Sequence, residues 1–257
     1  MKESKTVAII PARMGASRFP GKPLAKILDL PMIEHVRRRT CLSDAIDDVV
    51  VATCDQEIAD VVTGYGGKAV MTANTHERCT DRVEEAAQKT ELDIVVVVQG
   101  DDPLFDPCIL QQMVQPFLLN DKVECTNLLS LIRDEQDLQD EDIVKAVLTE
   151  SNDVMCYSRS PIPFQRVRNN IPLYRQTGLS AFSKNFLQTF SALAPTSHEV
   201  TESVDFLRIL GHGHPIRGVV FDGRLVGVDR PEDVNVVENL LRKDPIQRKF
   251  YEQMLQL

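Results

Sequence analysis

The stretch TVAIIPARMGASRFPGKPL, residues Thr6–Leu24, begins as an apolar run and continues as a loop that carries glycines and cations. An uninterrupted apolar run predicts a strand buried on both faces, as in a parallel sheet covered by helices. The loop that follows such a strand lies at the carboxyl edge of the sheet, where open α/β folds bind ligands. We therefore expect a ligand site directly after the first strand.

Further apolar runs alternate with helix-like segments, which predicts an α/β fold of three layers, α/β/α, with a mostly parallel, Rossmann-like sheet. Asp48–Thr53 and Asp93–Gln99 predict buried strands. Pro31–Thr40 predicts a helix with its basic residues on the outer face, and Pro231–Arg242 predicts a helix capped by Asp229. The other predicted segments are the strands Lys68–Met71, Ile143–Leu148, Met155–Ser158, Gly178–Phe182, Pro215–Phe221 and Arg224–Val228, and the helices Gln56–Tyr65, Thr80–Lys89, Lys184–Ser191 and Glu199–Leu210. One domain, residues 1–257, with a less regular embedded segment at residues 157–213 accounts for this order.

Composition and charge narrow the classes of function. The net charge of −9 argues against general nucleic-acid binding, which needs a basic surface. No apolar run reaches the about 18 residues that a membrane-spanning helix needs. The short polar N-terminus is unlike a secretory signal, so we expect a cytoplasmic protein. The cysteines show no CxxC spacing, which predicts free thiols rather than a metal cluster.

The loop of the opening stretch carries three cations, Arg13, Arg18 and Lys22. Arginine donates forked hydrogen bonds to phosphate oxygens and lysine acts as a compact point charge, so the set suits a triphosphate. Gly15 and Gly21 permit close approach of the backbone to a ligand. A solvated basic loop is the alternative interpretation.

Three further motifs bear on chemistry, and each has a purely structural alternative. Gln99–Pro103 places Asp101 directly after an apolar strand, where a carboxylate is suited to Mg²⁺ or to a turn. Gly227–Asp233 offers Asp229 as a second metal ligand or as a helix cap. The polar groups of Met71–Arg82 are suited to reading a base edge, or form a capped loop before a helix.

Six motifs together resemble a known family. They are PARxxSxRxPGKPL, VATxD, MTxxxHxxxTDR, QGDxP, YSRxxIP and GVDxPED, at Pro11–Leu24, Val51–Asp55, Met71–Arg82, Gln99–Pro103, Tyr157–Pro163 and Gly227–Asp233. Their order and spacing across nearly the whole chain resemble the cytidylyltransferase family of CMP-Kdo synthetase, where Kdo is 3-deoxy-manno-octulosonate. The resemblance implies a sheet of the nucleotide-diphospho-sugar transferase type. It also implies transfer of CMP from CTP to the anomeric hydroxyl of Kdo or a close analogue, with release of pyrophosphate, in lipopolysaccharide biosynthesis.

The same resemblance assigns roles to individual residues. The residues that it implies for the CTP phosphates are Arg13, Ser17, Arg18 and Lys22, and those for the cytidine side are Pro11, Ala12, Met71, Thr72 and Thr80. Asp101 and Asp229 are implied as the Mg²⁺ carboxylates and count with Arg13 and Lys22 as the catalytic set. The implied contacts of the sugar acid are Gln99 (which also belongs to the nucleotide side), Arg159, Gln176, Glu199 and Glu202. Similar proteins are homodimers that pair through the embedded segment.

The acceptor half departs from the family pattern while the nucleotide half keeps it. Arg78-Cys79 stands where the family usually has Ser-Gly, and Phe164 stands where it usually has Trp. Gln176 and Ser180 replace a His and a Tyr. Three alternatives therefore stay open: a cytidylyltransferase for another acceptor such as a nonulosonic acid, a sugar-nucleotide-dependent glycosyltransferase, and a non-catalytic nucleotide-binding protein.

Overall fold

The computed structural model describes residues 4–15, 18–120, 122–167, 171–223 and 225–257. The chain forms two compact units. The first unit consists of Met1–Gln111 and Leu225–Leu257, and the second unit is Gln112–Arg224. The embedded segment that we predict at residues 157–213 falls inside the second unit, and its role in pairing subunits stays a prediction.

A parallel sheet forms the centre of the first unit. Its strands are β1 (Thr6–Ala12), β4 (Asp48–Thr53), β5 (Lys68–Met71) and β6 (Ile94–Val97), in the spatial order β6-β1-β4-β5. Every residue of β1 is buried, as the apolar run predicts. The helices that pack on these strands are α1 (Met32–Thr40), α2 (Gln56–Gly64) and α3 (Cys79–Gln88). Among the described residues, no helix is long and apolar enough to span a membrane.

The C-terminal part of the first unit covers a small hairpin. The hairpin strands are β2 (Lys26–Ile27) and β3 (Leu30–Pro31), and the covering helices are α9 (Asp233–Lys243) and α10 (Pro245–Met254). Ile27, Leu30, Val228, Val237 and Met254 share one buried apolar cluster. This cluster holds residues 226–229 against the start of the chain.

The predicted solvent-facing position of the basic residues of α1 is wrong, because Arg37, Arg38 and Arg39 are all buried. The fully buried Glu34 accepts hydrogen bonds from both Arg37 and Arg38. Arg38 also donates to the carbonyl of Met254 at the end of α10, at 3.0 Å. The sequence pattern of α1 alone did not indicate that another helix would cover this face.

The second unit has a mixed sheet. Its strands are β7 (Cys125–Leu131), β8 (Lys145–Leu148), β9 (Val154–Ser158), β10 (Tyr174–Ser183) and β11 (Arg217–Phe221). Strand β7 pairs in parallel with β11 and antiparallel with β10, and β8 pairs antiparallel with β9 and β10. The helices are α4 (Cys108–Leu119), which crosses the boundary between the units, then α5 (Glu135–Gln139), α6 (Lys184–Ala192), α7 (Ser197–Glu202) and α8 (Phe206–Gly211).

Two predicted elements of the later chain are wrong. The helix predicted at Glu199–Leu210 is two helices, because Ser203 adopts a left-handed conformation with φ of 52° and ends α7. The strand predicted at Arg224–Val228 does not form in its described residues 225–228, where Val226 makes one isolated bridge with Leu104. The α/β class and the buried first strand are confirmed.

Candidate functional site

The loop after β1 is folded back on itself by hydrogen bonds at both of its ends. The amide of Met14 donates to the carboxylate of Asp55 at 2.8 Å, and the amide of Gly21 donates to the carbonyl of Met14 at 3.2 Å. Gly21 has φ of 72°, a left-handed conformation that glycine adopts without steric cost. Lys22 then begins a 3₁₀ turn whose next residue, Pro23, is buried. The backbone that carries Lys22 is therefore well anchored.

A close backbone approach brings Asp101 to the end of β1. A Cβ atom on Gly100 would lie 2.9 Å from the carbonyl oxygen of Pro11, so glycine is required at this position. Asp101 follows immediately. Its carbonyl accepts a hydrogen bond from the amide of Val228 at 2.9 Å, and this bond places Asp229 beside it.

Lys22 lies between the two carboxylates. Its Nζ atom is 2.6 Å from Oδ2 of Asp101 and 3.9 Å from Oδ1 of Asp229. It also donates to the carbonyl of Val228 at 2.9 Å. The side chain of Lys22 is largely buried, whereas that of Asp229 is open to solvent. Two acidic residues from distant parts of the sequence thus share one cation.

The predicted role of Asp229 as a helix cap is wrong. Helix α9 begins at Asp233, and its N-cap is Glu232, which makes no side-chain capping bond. The carboxylate of Asp233 instead accepts hydrogen bonds from the amides of Asp229 and Arg230, at 2.9 and 2.8 Å. Because Asp233 organises this turn, the carboxylate of Asp229 points to Lys22 rather than to the helix.

A cavity of about 350 Å³ lies at this edge of the first unit. The predicted residues that line it are Pro11, Ala12, Arg13, Arg18, Lys22, Gln99, Asp101 and Asp229. Arg13 and Arg18 are both exposed. The predicted Ser17 lies outside the described residues. Most of the residues that we predict for the nucleotide therefore line a single cavity.

Three residues predicted for the cytidine side do not line the cavity. Met71 is exposed at the end of β5, and Thr80 is buried in the first turn of α3. Thr72 is buried, and its hydroxyl accepts a hydrogen bond from Nη1 of Arg82 at 2.5 Å. Its side chain thus supports the cavity wall through Arg82 instead of facing the cavity.

The motif Met71–Arg82 supplies a wall of the cavity through other members, which are His76, Glu77, Arg78, Cys79 and Arg82. Glu85 of α3 ties this loop to the helix. It accepts from the backbone amide of Ala73 at 2.8 Å, pairs with Nε2 of His76 at 2.6 Å, and accepts from Lys89 at 2.6 Å. The hydrogen bond from Lys89, followed by those from Ala73 and His76, lowers the pKa of Glu85 to about 2. The i,i+4 spacing of Glu85 and Lys89 was the sequence signal for part of this network.

Arg159 and Glu202, which we predict for the sugar acid, are joined in the second unit. The amide of Arg159 donates to Oε2 of Glu202 at 2.8 Å, and its Nε donates to the Glu202 carbonyl at 2.6 Å. The hydrogen bond from the backbone amide of Arg159 is the main cause that lowers the pKa of Glu202. Arg159 also donates to the carbonyl of Glu141, and Arg159 and Glu141 line a hollow of about 530 Å³. Gln176 is half-buried on β10, where the register with β7 shifts.

Glu199 has a structural position. Its side chain is fully buried, and its two oxygens accept from Nε and Nη2 of Arg208 at 2.8 and 2.6 Å. It also forms a capping box with Thr196 at the start of α7. Because these bonds occupy its carboxylate, we leave Glu199 out of the proposed contacts with the sugar acid.

Comparison with known proteins decides the family. The profile described as Cytidylyltransferase matches residues 7–216, which is most of the chain. The chain belongs to the cytidylyltransferase family. All of the cavity-lining residues except Asp229 fall within the matched region.

Relatives and a solved structure extend this result across the chain. The 3-deoxy-manno-octulosonate cytidylyltransferase of Geobacter metallireducens is 38% identical over 250 residues, which cover 93% of this chain and 98% of that protein. The 8-amino-3,8-dideoxy-manno-octulosonate cytidylyltransferase of Shewanella piezotolerans is 40% identical over 240 residues, which cover 92% and 98%. A structure of CMP:2-keto-3-deoxy-manno-octonic acid synthetase complexed with CTP superposes with a TM-score of 0.90 at 35% identity, covering 94% of this chain and 100% of that chain. The predicted family and its α/β fold are confirmed.

The donor atoms of the cytidylyltransferase site fit a divalent cation. Asp101 and Asp229 offer carboxylate oxygens, the ligands that Mg²⁺ prefers, and the ammonium of Lys22 already lies against both as a cation of the chain itself. Within the described residues there is no cluster of three or more His, Cys, Asp or Glu side chains that could hold a metal. Further ligands of such an ion would come from substrate phosphates and water, as is common for Mg²⁺. All six cysteines lie within the described residues, and no disulfide joins any two of them.

Proposed function

We propose that this cytidylyltransferase transfers CMP from CTP to the anomeric hydroxyl of Kdo or a close analogue and releases pyrophosphate. The observation that carries the proposal is the meeting of Asp101, Asp229 and Lys22 at the rim of a cavity lined by Arg13 and Arg18. The two relatives, which match most of the chain, are named as cytidylyltransferases of an octulosonate. The similar solved structure is a complex with CTP.

The cations of the loop bind and orient the triphosphate in this proposal. The exposed guanidinium groups of Arg13 and Arg18 donate to phosphate oxygens in paired hydrogen bonds, which restrict rotation of the chain of phosphates. The cavity of about 350 Å³ falls in the size range of small-ligand sites. As the bond to the α-phosphorus breaks, the same cations stabilise the negative charge that develops on the pyrophosphate.

We propose Asp101 and Asp229 as the holders of Mg²⁺. When bound there, the ion would supply positive charge beside the α-phosphate and the sugar hydroxyl. The carboxylates are prepared for this role because a buried cluster that includes Val228 fixes residues 226–229, and Gly100 fixes the approach of Asp101.

Arg159, Gln176 and Glu202 are the proposed contacts of the sugar acid in the second unit, and Gln99 is a proposed contact that lines the cavity of the first unit. Three N–H groups of Arg159 are used by backbone carbonyls, of Glu141, Glu202 and Ser203, and a guanidinium has five such groups. The remaining donors suit a carboxylate or hydroxyls. The hollow that Arg159 lines supports this assignment.

We further propose a homodimer that pairs through the second unit. The large apolar side chains Met155 of β9, Phe164 and Val167 of the loop between β9 and β10, and Val200 of α7 are mostly exposed. A contiguous exposed patch of apolar side chains is typical of an interaction surface, and we propose that these four belong to one. A cytoplasmic location and a role in lipopolysaccharide biosynthesis stay predictions.

A pyrophosphate-release assay tests the reaction. The purified protein with Mg²⁺ is given CTP, UTP, GTP or ATP together with Kdo, 8-amino-3,8-dideoxy-manno-octulosonate or a nonulosonic acid, and the product is weighed by mass spectrometry. We expect release of pyrophosphate from CTP with an octulosonate and formation of its CMP conjugate.

The competing functions give different results in the same assay. If CTP reacts only with the nonulosonic acid, the proposed acceptor is wrong and the proposed donor is correct. Binding of CTP without turnover on any acceptor would favour the non-catalytic nucleotide-binding protein. Cleavage of a sugar nucleotide, supplied in place of the nucleoside triphosphate, without release of pyrophosphate would favour the glycosyltransferase.

A further inference from the structure

The ammonium group of Lys22 makes its closest contacts with the carboxylates of the proposed metal site, although the residue belongs to the phosphate loop. Its acceptors are Oδ2 of Asp101 at 2.6 Å and the carbonyl of Val228 at 2.9 Å, with Oδ1 of Asp229 at 3.9 Å. Arg13 and Arg18 of the same loop are exposed at the cavity. Lys22 therefore differs from the other two cations in what it binds when no ligand is present.

The backbone of Lys22 is held by its own hydrogen bonds, which do not involve the ammonium group. The amide of Lys22 donates to the carbonyl of Phe19, and the amide of Ala25 donates to the carbonyl of Lys22, at 3.2 and 3.1 Å. Pro23 packs in the interior beside them. A lysine stem of four methylene groups lets the ammonium change partners without any movement of this turn.

The carboxylates can serve the ammonium or a divalent cation, but not both at full strength. Mg²⁺ binds carboxylate oxygens at about 2.0–2.1 Å, and a positive group at 2.6 Å from the same oxygen repels it. An ammonium that leaves Asp101 and Asp229 remains on the cavity wall near Arg13 and Arg18. Three cations on one wall repel each other unless an anion lies among them.

We infer that Lys22 is a tethered counter-ion of Asp101 and Asp229, which it releases when a divalent cation and a nucleoside triphosphate bind together. The inference rests on the proposed function, because it uses the proposed metal carboxylates and phosphate loop. Lys22 thereby opposes metal binding when no nucleotide is bound. When the metal ion is bound, Lys22 contributes to nucleotide binding. By reciprocity, each of the two ligands then raises the affinity for the other.

Binding of Mn²⁺ without nucleotide tests the inference. Mn²⁺ serves as the probe because its unbound fraction is measured directly by electron paramagnetic resonance. The full chain is compared with two neutral variants, Lys22→Met and Lys22→Gln, and with Lys22→Arg, which keeps the charge. The control is Lys26→Met, which removes a nearby exposed lysine. Thermal denaturation of each variant verifies folding.

We expect the neutral variants to bind Mn²⁺ more tightly than the unchanged chain by a factor in the range of about 5 to 150 that is typical of coupled sites. Lys22→Arg and Lys26→Met should stay close to the unchanged chain. The gain should vanish when Asp101→Asn is added to Lys22→Met, because the gained site is the one that Lys22 occupied. The neutral variants should also bind CTP more weakly when Mn²⁺ is present, because they lack the ammonium group that Lys22 then offers to the phosphates.

The outcomes separate this inference from the proposed function. If the neutral variants gain no affinity for Mn²⁺ while the unchanged chain transfers CMP, the counter-ion role is overturned and the function stands. If they gain affinity through Asp101 while the unchanged chain transfers no CMP to any acceptor, the function is overturned and the counter-ion role stands. A gain that persists in the double variant with Asp101→Asn also overturns the inference, because the metal then binds elsewhere.

Discussion

At the scale of single residues, the site depends on which oxygen atoms are already engaged. Asp229 and Asp233 lie four positions apart, and the sequence pattern predicted Asp229 as the cap of the helix. In the structure, the carboxylate of Asp233 accepts hydrogen bonds from two backbone amides, whereas the carboxylate of Asp229 lies beside Lys22. The two aspartates should therefore differ in what their removal affects.

Asp229→Asn should lower kcat by about 100-fold, because it removes a charge from the proposed metal site, and should leave the melting temperature nearly unchanged. Asp233→Ala should lower the free energy of unfolding by about 1 kcal/mol, because it removes the acceptor of two backbone amides. Steady-state kinetics and thermal denaturation measure both effects. Equal losses of stability in the two variants would return Asp229 to a structural role.

His35 is a residue whose titration should affect stability. Burial lowers its pKa from 6.5 to about 4, with a smaller opposing effect from its hydrogen bond to the carbonyl of Ile27. Between these two pH values the unfolded chain binds a proton that the folded chain does not. The free energy of unfolding should therefore fall as the pH drops below 6.5, by up to about 3 kcal/mol near pH 4.

Urea denaturation at several pH values measures this dependence. Because other groups titrate as well, the decisive comparison is with His35→Gln, which retains a hydrogen-bond donor but does not titrate in this range. The variant should show a shallower fall with pH. His198→Gln, which changes an exposed histidine, should keep the dependence of the unchanged chain. An identical fall in His35→Gln would contradict the prediction.

At the scale of elements, the sequence pattern predicted the four parallel strands of the first unit and its helices α1, α2, α3 and α9 within two residues. It did not predict the hairpin β2–β3 or α10. Thr6–Ala12 and Asp48–Thr53 form where apolar runs indicate them, because burial on both faces leaves a local signal. The buried arginines of α1 could not be predicted in this way. Their burial depends on α10, which lies more than 200 residues later, and on the charge of Glu34 in the same helix.

The helix pair α7 and α8 yields a prediction about Glu199. Glu199→Gln should lower the free energy of unfolding by about 3–5 kcal/mol, because it leaves the buried guanidinium of Arg208 without its charged partner. The KM for the sugar acid should change little in the fraction that stays folded. Denaturation and kinetics at 15 °C measure the two quantities. A large rise in KM with unchanged stability would instead make Glu199 a substrate contact.

At the scale of the whole molecule, the second unit exposes the apolar side chains through which we expect two copies to pair. Phe164→Ser and Met155→Ser should shift the chain from dimer to monomer at low concentration, because each removes apolar area from the proposed interface. Sedimentation equilibrium measures the change in mass. Leu119→Ser, at the end of α4 and equally exposed, is the matched control. A monomeric unchanged chain, or an unaltered dimer in both variants, would contradict the proposed surface.

The sequence by itself determined the α/β class, the ligand-binding loop after β1 and the family, because these depend on features local to the chain: a buried apolar run, three cations within ten residues, and short motifs in a constant order. The tertiary structure decided which carboxylates meet. Asp101 and Asp229 come from the two separate segments of the first unit. They share Lys22 because the Val228 amide donates to the Asp101 carbonyl and because a buried cluster that includes Val228 holds this segment in place. It also decided that Glu199 and the arginines of α1 are internal, since burial and pairing depend on neighbours that no local pattern reveals.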